Sequence, residues 1–433
     1  MGMELAASFP PEFVCFLGVD WADKEHVFCL LDRGTGASES GKVASSPEEL
    51  SVWMARLRER FPEGLIAVCL EGHRGGLVTF LLGYDFVVVF PINPHSSADY
   101  RDSFRPSGAK DDFADARMLL DYLIRHPEQV TPLRPDREEV RLLAGLCEGR
   151  RQAVEQRKAL TNQLGACLKA YYPQALGMLG DLHSELACAF LAKWSEPEQL
   201  KAARDSQLRR FFYAQNCRGE TRMDERLEAV HRAVVLTRDR AVIVPSRMKM
   251  LGFVRLVRDL NRTIAEYDSE IDRLYRQMPD HDIFCSFPGA GDAIGPRLLT
   301  AFGSDRSRFS RPEDIQCLSA IAPVTEQSGH SKWVRRRWQC NTFLHQTFHE
   351  YALHSISFST WARLYVAAKV SNGKGYNTAI RALAYKWQRI MFACWQNHEA
   401  YDEARYFQAL EKNRSPLVSH GGTPAALTQA IRA

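Results

Sequence analysis

The apolar positions divide the chain into three stretches of different period. The first alternates short apolar runs with amphipathic ones. "FVCFLGVD" ends on an acid at Asp20, and "EHVFCLLD" follows after the polar "WADK", so the two runs can pair as a hairpin. "GKVA" offers a third short strand. "SPEELSVWMARLRERF" reads as a helix: Ser46 is placed to cap it, Pro47 takes the first helical position, and Leu50, Trp53, Met54 and Leu57 share one face. "LIAVCLE" and "FVVVF" are continuous apolar runs of the kind buried on both faces of a sheet. "PINPHSSADYRDSFRPSGAK" has no apolar period and reads as a loop, after which "AKDDFADARMLLDYL" opens a helix. The order β-β-β-α-β-α-β-α predicts an α/β layer with a hairpin edge.

From about Val140 to Met278 the period becomes helical. Phe253, Val257, Leu260, Ile264, Tyr267, Ile271, Leu274 and Met278 recur at alternating spacings of four and three, a heptad seam flanked by arginines. A less regular helix covers roughly 138–171, interrupted by Arg150 and Arg157. The seam serves either to pack two helices of one chain or to form the coiled-coil arm of a dimer. "FPGAGDAIGPRLLTAFGS" then joins two helical segments through Pro-Gly-x-Gly. Four parts are expected: an α/β domain over 12–130, a helical coiled-coil region over 131–280, a mainly helical domain over 281–400, and a loose tail over 401–433.

Composition narrows the class. A chain of 433 residues exceeds one ordinary core. With 45% hydrophobic and 25% charged residues, it has the balance of a soluble globular protein. Apolar runs as short as "FVVVF" and "LIAVCL" exclude a membrane span. Eleven scattered cysteines without a CxxC pair read as reduced cytosolic thiols, not as a disulfide frame or a zinc site. The net charge of +4 conceals an asymmetry: residues 1–130 hold 12 basic and 20 acidic residues, and 201–262 hold 15 and 7. Residues 331–395 hold 10 basic residues and a single acid, Glu350. Carboxylates that hold cations, followed by Lys and Arg that hold phosphates, would suit a metal-dependent nucleic-acid enzyme; solvated surface charge is the plainer alternative.

The acids give that idea a geometry. Asp20 and Glu71 each end an apolar strand, and Asp112 and Asp115 are one helical turn apart. Parallel strands present their C-terminal ends to one crevice, so the four can converge there. Four carboxylates crowd together at a cost unless cations join them, and a pair of Mg²⁺ ions (Mn²⁺ as a substitute) would both neutralise them and serve phosphoryl transfer. The plainer reading of the helix acids is that they favour the positive end of the helix dipole, which suits Asp111 well.

"GVDWADKEHVF", "CLEGHRGG" and "AKDDFADAR" resemble the N-terminal motifs of the DEDD transposases of bacterial insertion sequences, a family that includes pilin-gene invertases and bridge-RNA-guided recombinases. The resemblance implies a RuvC-like, ribonuclease-H-like first domain. The family's last acidic motif usually runs Lys-Thr-Asp-x-x-Asp-Ala; here Lys110, Asp111, Asp112, Asp115 and Ala116 match it, with Asp111 in place of Thr. Two candidates therefore stand for one ligand, and register favours Asp112. "SFPGAGDAIGPRLLTAFGS" and "LSAIAPVTEQSGHSKWVRRRW" resemble the family's second domain, in which a Gly-Leu-x-Pro segment precedes Ser-Ser-Gly and basic residues. "IAP" departs from the first and a single serine from the second. Ser328 then aligns with the family's nucleophilic serine, and Ser331 is the fallback.

The residues themselves allow that role. Ser328 lies beside a glycine and just before Lys332, Arg335, Arg336 and Arg337, cations able to stabilise an alkoxide and phosphoryl charge; a serine before glycine is otherwise a turn residue. Trp333 and Trp338, interleaved with these cations, suit stacking on bases, whereas Trp361, Trp387 and Trp395 read as core. Gly289 and Gly291 either let backbone N–H groups approach a phosphate or make a tight helix–helix turn. Of His73, Arg74, His330 and His345, His330 is retained as a weak acid–base candidate and His345 is rejected.

The resemblance implies a recombinase that cuts and rejoins donor and target DNA through a covalent serine–phosphate link. It further implies a composite site built from two subunits, dimers that pair into tetramers, and a non-coding guide RNA. Two alternatives remain: a junction-resolving nuclease with water as nucleophile, and a non-catalytic nucleic-acid-binding scaffold. A sugar-kinase-like ATPase would share the layer fold, but no glycine-rich adenosine motif follows "GVD".

Overall fold

A computed structural model describes residues 9–73, 75–104, 111–329, 331–337 and 341–415. The chain forms two compact units, which meet in sequence between Pro135 and Asp136.

In the first unit, β1 (Phe13–Asp20), β2 (Glu25–Asp32) and β3 (Ser38–Ala44) form an antiparallel meander. Helix α1 (Pro47–Arg60) leads to β4 (Leu65–Glu71), α2 (Gly76–Leu81) to β5 (Val87–Ile92), and α3 (Pro94–Phe104) precedes α4 (Asp112–Arg125). The sheet order is β3-β2-β1-β4-β5, with β4 parallel to both β1 and β5. The two faces of the sheet carry separate cores. Leu17, Val19, Val68 and Val89 pack with Trp53 and Met54 of α1. Phe16, Cys29, Ala67 and Phe90 pack with Leu119 and Leu123 of α4. The cap on α1 forms as the sequence predicts, Ser46 Oγ accepting from Glu49 N at 3.3 Å.

Gly18 sets how closely α4 lies on β1. A Cβ there would stand 2.2 Å from the Ala116 carbonyl oxygen and 2.4 Å from Leu120 N, both backbone atoms of α4. No side chain fits, so the helix rests directly on the strand.

The segment read as a loop contains a helix, α3. Pro94 stands in its first turn, and Asn93 Oδ1 accepts from His95 N at 3.0 Å. Among its described side chains, Tyr100 meets the Tyr122 ring edge-on at 5.0 Å and donates to Asp121 Oδ2 at 2.8 Å. Contacts of this kind leave no apolar period in the sequence.

The second unit is built on two long helices, α5 (Glu138–Tyr171) and, after the short helices α6–α10 between Gln174 and Arg232, α11 (Arg240–Tyr275). They run antiparallel. Arg150 pairs with Asp268, Arg157 Nη1 donates to Asn261 Oδ1 at 2.9 Å, and the Cys167 thiol reaches the Ser246 carbonyl at 3.3 Å. The heptad seam thus packs within the chain, and the arginines that interrupt α5 are its cross-links to α11. One end of the pair enters a core with Met250, Phe253 and Val257, and the other a core with Ile271 and Leu274.

The rest of the unit comprises α12 (His281–Cys285), α13 (Gly291–Phe302), α14 (Pro312–Leu318), a hairpin of β6 (Val324–Ser328) and β7 (Ser331–Arg335), then α15 (Thr342–Phe358), α16 (Thr360–Ser371), α17 (Tyr376–Asn397) and α18 (Glu403–Lys412). Trp361, Trp387 and Trp395 are fully buried in its core, as expected, each indole N–H satisfied by Tyr401, Ser355 or the Gly303 carbonyl. The expected tail from 401 begins with a helix, and residues 416–433 lie outside the described residues. The described cysteines are free thiols. Among the described residues, no helix is long and apolar enough to cross a membrane.

Candidate active site and nucleic-acid interface

The C-terminal ends of β1 and β4 lie side by side. Their register runs to Val19 opposite Leu70, so Asp20 and Glu71 are the next residues at one sheet edge. The Trp21 indole N–H, donating to the Glu71 carbonyl at 3.0 Å, closes that edge. Asp115 reaches it from the first turn of α4, where the missing side chain at Gly18 lets the helix sink. Asp115 is buried; Asp20 and Glu71 are half-buried.

Glu71 and Asp115 already share a cation. Arg101 of α3 donates through Nε to Asp115 Oδ1 at 2.9 Å and through Nη2 to Glu71 Oε1 at 3.3 Å. Fully buried Ser97, one turn earlier on α3, donates to the same Glu71 oxygen at 2.5 Å. Sequence reading missed both residues because it missed their helix. The Asn-Pro start at 93–94 was the signal available.

The other two acids of the motif separate by role. Asp111 caps α4, its Oδ1 accepting from Phe113 N at 3.3 Å. Asp112, exposed in the first turn, is left uncommitted by that cap, and its charge contributes to raising the Lys42 pKa, after the larger effects of the Glu25 ion pair. The donor chemistry suits Mg²⁺, which takes carboxylate oxygens. Arg101 marks where a positive charge is already demanded. Among the described residues, however, no three acidic, histidine or cysteine side chains are gathered closely enough to hold a metal ion. Arg101 stands where such a group would have to close.

In the second unit, Ser328 ends β6 and pairs directly with Ser331, the first residue of β7. Gly329 takes φ +57° there, a conformation that glycine adopts without strain. Alternation places Ser328 on one face of the hairpin with Glu326, Ser331, Trp333 and Arg335, while Lys332 and Val334 point to the other. Trp333 is 64% exposed. The four basic residues read as one cluster therefore divide. Lys332 faces away from Ser328, Arg335 is paired with Glu326, and Arg336 turns to His345, its Nη2 3.5 Å from Nε2. Arg337 follows beyond the strand, half-buried.

The two glycines of the Pro-Gly-x-Gly turn also differ. Gly289, at φ +79°, lies where a Cβ would meet the Phe358 ring at 2.8 Å, so its bareness serves packing. Gly291, at φ +52°, begins α13 with open space around it. An open cleft of about 670 Å³ beside the turn is lined by Ser286, Phe358, Glu399, Asp402, Glu403 and Arg405, with Arg405 paired to Glu399 at 3.1 Å. His73 is exposed after β4. Arg74, Lys110, His330 and Trp338 lie outside the described residues.

Comparisons with known proteins match two parts of the chain. A model of DEDD transposases of the IS110 type matches residues 17–173, and one described as "Transposase IS116/IS110/IS902 family" matches residues 281–367. The "Mini-circle putative transposase for IS117" of Streptomyces coelicolor is 28% identical over 408 residues, covering 91% of this chain and 97% of the relative. The "Insertion element IS900 uncharacterized 42 kDa protein" of Mycobacterium paratuberculosis is 24% identical over 398 residues, covering 89% and 97%. With acidic strand ends in its first unit and a serine-tipped hairpin in its second, the chain belongs to the IS110-type family of DEDD transposases of insertion sequences.

Proposed function

We propose that the chain cuts and rejoins DNA by phosphoryl transfer, using a Mg²⁺ site on its first unit and Ser328 on its second. The observation that carries this reading is the meeting of Glu71, at the end of β4, and Asp115, in the first turn of α4, on the Arg101 guanidinium. The strand order, an antiparallel meander followed by two parallel strands, supports a ribonuclease-H-like fold for this unit. Asp20, Glu71, Asp112 and Asp115 would hold Mg²⁺, with Mn²⁺ as a substitute. The ion would supply Lewis-acid stabilisation of a phosphoryl oxygen.

Ser328 Oγ attacks phosphorus and displaces one deoxyribose oxygen. The serine proton passes to solvent, and the departing oxygen takes a proton to become a free hydroxyl. One P–O bond forms as one breaks, so a hydroxyl of a second strand can later displace serine without a further energy source. The exposed indole of Trp333 on the serine face suits stacking on a base. The substrates in this reading are donor and target DNA, with a guide RNA held by the basic second unit through backbone contacts, and homodimers that pair into tetramers.

The decisive test is a denaturing gel of protein incubated with DNA carrying the element's ends, together with any RNA that copurifies. Wild type should yield a covalent protein–DNA adduct, and Ser328→Ala should bind DNA without forming one. Strand cleavage with no adduct in wild type would instead support a nuclease that uses water, with Ser328 serving the turn. An adduct of full yield from Ser328→Ala would move the nucleophile elsewhere, with Ser331 first to examine.

A further inference from the structure

Asp20 and Glu71 end neighbouring strands, and Trp21 is the residue directly after Asp20. Two contacts hold Trp21 in place. Its indole N–H donates to the Glu71 carbonyl at 3.0 Å, and the backbone N–H of Ala22, the next residue, donates to Nδ1 of buried His26 at 3.2 Å. The one polar atom of the side chain is thus spent on the strand end, and what it offers to solvent is apolar ring. That ring is 44% exposed. Elsewhere the chain buries this residue type: Trp53, Trp194, Trp361, Trp387 and Trp395 are all buried. Among the described residues, the exposed tryptophans are Trp21, beside the acids, and Trp333, on the serine face of the hairpin. A lone exposed apolar residue is ordinary on a surface. This one is held rigid beside the candidate acids, as a stacking platform must be, because its rotamer freedom is lost on folding and not on binding.

The charge of this unit favours such a contact. Residues 1–130 hold 20 acids against 12 bases, and the Arg101 guanidinium is engaged with Glu71 and Asp115. Lys42 stands in the row of paired residues that leads from β3 through Val27 to Asp20. It is engaged with Glu25 at 2.6 Å, and its ammonium covers one face of Phe113, the exposed aromatic that follows Asp112, at 5.6 Å. An edge of this kind repels phosphate except through a cation, so a nucleic-acid strand is gripped there to best effect by a group without charge. An indole face is such a group, and every base has a face to lay on it.

A base within a duplex presents its edges to the grooves and not its face, so a protein ring stacks on it only once it has left the stack. We propose that Trp21 is a stacking site for an unpaired DNA base, belonging to a nucleotide that flanks the phosphodiester presented to Asp20, Glu71 and Asp115. This rests on the reading of those acids as the cutting edge. Trp21 and Asp20 are adjacent, about 3.8 Å apart at Cα, and phosphates of one strand repeat about every 3.4 Å along a duplex. A base on the ring and a phosphate at the acids therefore belong to neighbouring nucleotides. The strand enters the first unit locally melted, and Trp21 stabilises the unpaired form at the step to be cut. The ring has no hydrogen-bonding atom left for a base edge, so it holds any base, and sequence is read elsewhere. No covalent bond changes in this contact.

The test uses the full chain with DNA carrying the element's ends and any RNA that copurifies. Nucleotides on either side of the cut are replaced one at a time by an abasic site, and the rate of strand cleavage at limiting protein is measured for wild type and Trp21→Leu. One abasic position should slow wild type about tenfold to a hundredfold, the worth of one base–aromatic stack, and should add little to the slower rate of Trp21→Leu. Trp21→Phe keeps a ring but loses the bond to the Glu71 carbonyl, and it should keep most of that sensitivity to the missing base. 2-Aminopurine at the same position, whose emission stacking quenches, should be dim on wild type and brighter on Trp21→Leu, a readout that needs no cleavage. Thermal melting reports whether each variant has folded. Abasic penalties equal in wild type and Trp21→Leu at every position would overturn the stacking site and make Trp21 a closure of the strand edge; Glu71→Gln, inactive in the same assay, would leave the cutting edge standing. A penalty shared with Trp21 only when the abasic site is in the RNA would also overturn it. A wild-type chain that cuts none of these DNAs, or a Glu71→Gln chain that cuts as fast as wild type, would overturn the reading of the acids and this proposal with it.

Discussion

At the scale of single residues, Gly18 and Arg101 control the acidic edge, and neither is acidic. Gly18 admits α4 onto β1; its Cβ would collide with backbone, which cannot rotate away. Gly18→Ala should displace α4 and cost about 1–3 kcal/mol, as overpacking does. Urea unfolding of the full chain should show it as an earlier first transition, and an unchanged curve would mean that α4 is not seated as described. Arg101 acts differently. It neutralises Glu71 and Asp115, and in the proposed reading a metal ion would have to compete with it for both. Arg101→Gln should bind Mn²⁺ more tightly, on the order of tenfold, or about 1.4 kcal/mol, in a calorimetric titration. Weaker binding by that variant would make Arg101 a support for the site and not its competitor. Asp20, Glu71 and Asp115 could be read in the sequence because they end apolar runs or open a helix. Arg101 could not, since nothing in a local pattern says which arginine a distant carboxylate will meet.

At the scale of elements, legibility followed the hydrophobic period. Strands β1, β2, β4 and β5, α1, α4 and the long helices all carry an apolar face, and all form. Helix α3 has none and was read as loop. The hairpin β6–β7 was hidden for a like reason: nine of its ten positions are exposed, only Val324 being half-buried, so no strand-like burial pattern could develop. The heptad seam was visible, but its partner was not, because period specifies a face and not what covers it. The hairpin's isolation has a consequence. Two strands without a covering layer are marginally stable in water. Amide hydrogens of 324–335 should exchange far faster than those of β1 and β4, whose residues are buried. DNA should slow them if the hairpin is the DNA-facing element. Exchange unchanged by saturating DNA would place the interface elsewhere in the second unit.

At the scale of the whole molecule, the two units divide the charge and, in the proposed reading, the two tasks of a DNA-cutting enzyme. The first 130 residues hold 20 acids against 12 bases, whereas 331–395 hold 10 bases and one acid. An acidic unit repels a polyanion, so in the proposed reading affinity for DNA comes from the second unit, and the first would approach the strand with cations at its edge. The two contributions should then come apart under mutation. Glu71→Gln and Asp115→Asn each remove a negative charge, so DNA affinity at low salt should stay the same or rise slightly while Mg²⁺-dependent strand cleavage is lost. Lys332→Gln should lower the salt slope by about 0.9 and weaken binding across sequences alike, because an ammonium reads phosphate charge and not base identity. Anisotropy and a cleavage assay on the same preparations measure both. If the carboxylate variants lost DNA affinity in step with cleavage, the acids would be holding the strand through bound cations before the reaction begins, and the division between a binding unit and a cutting unit would be wrong.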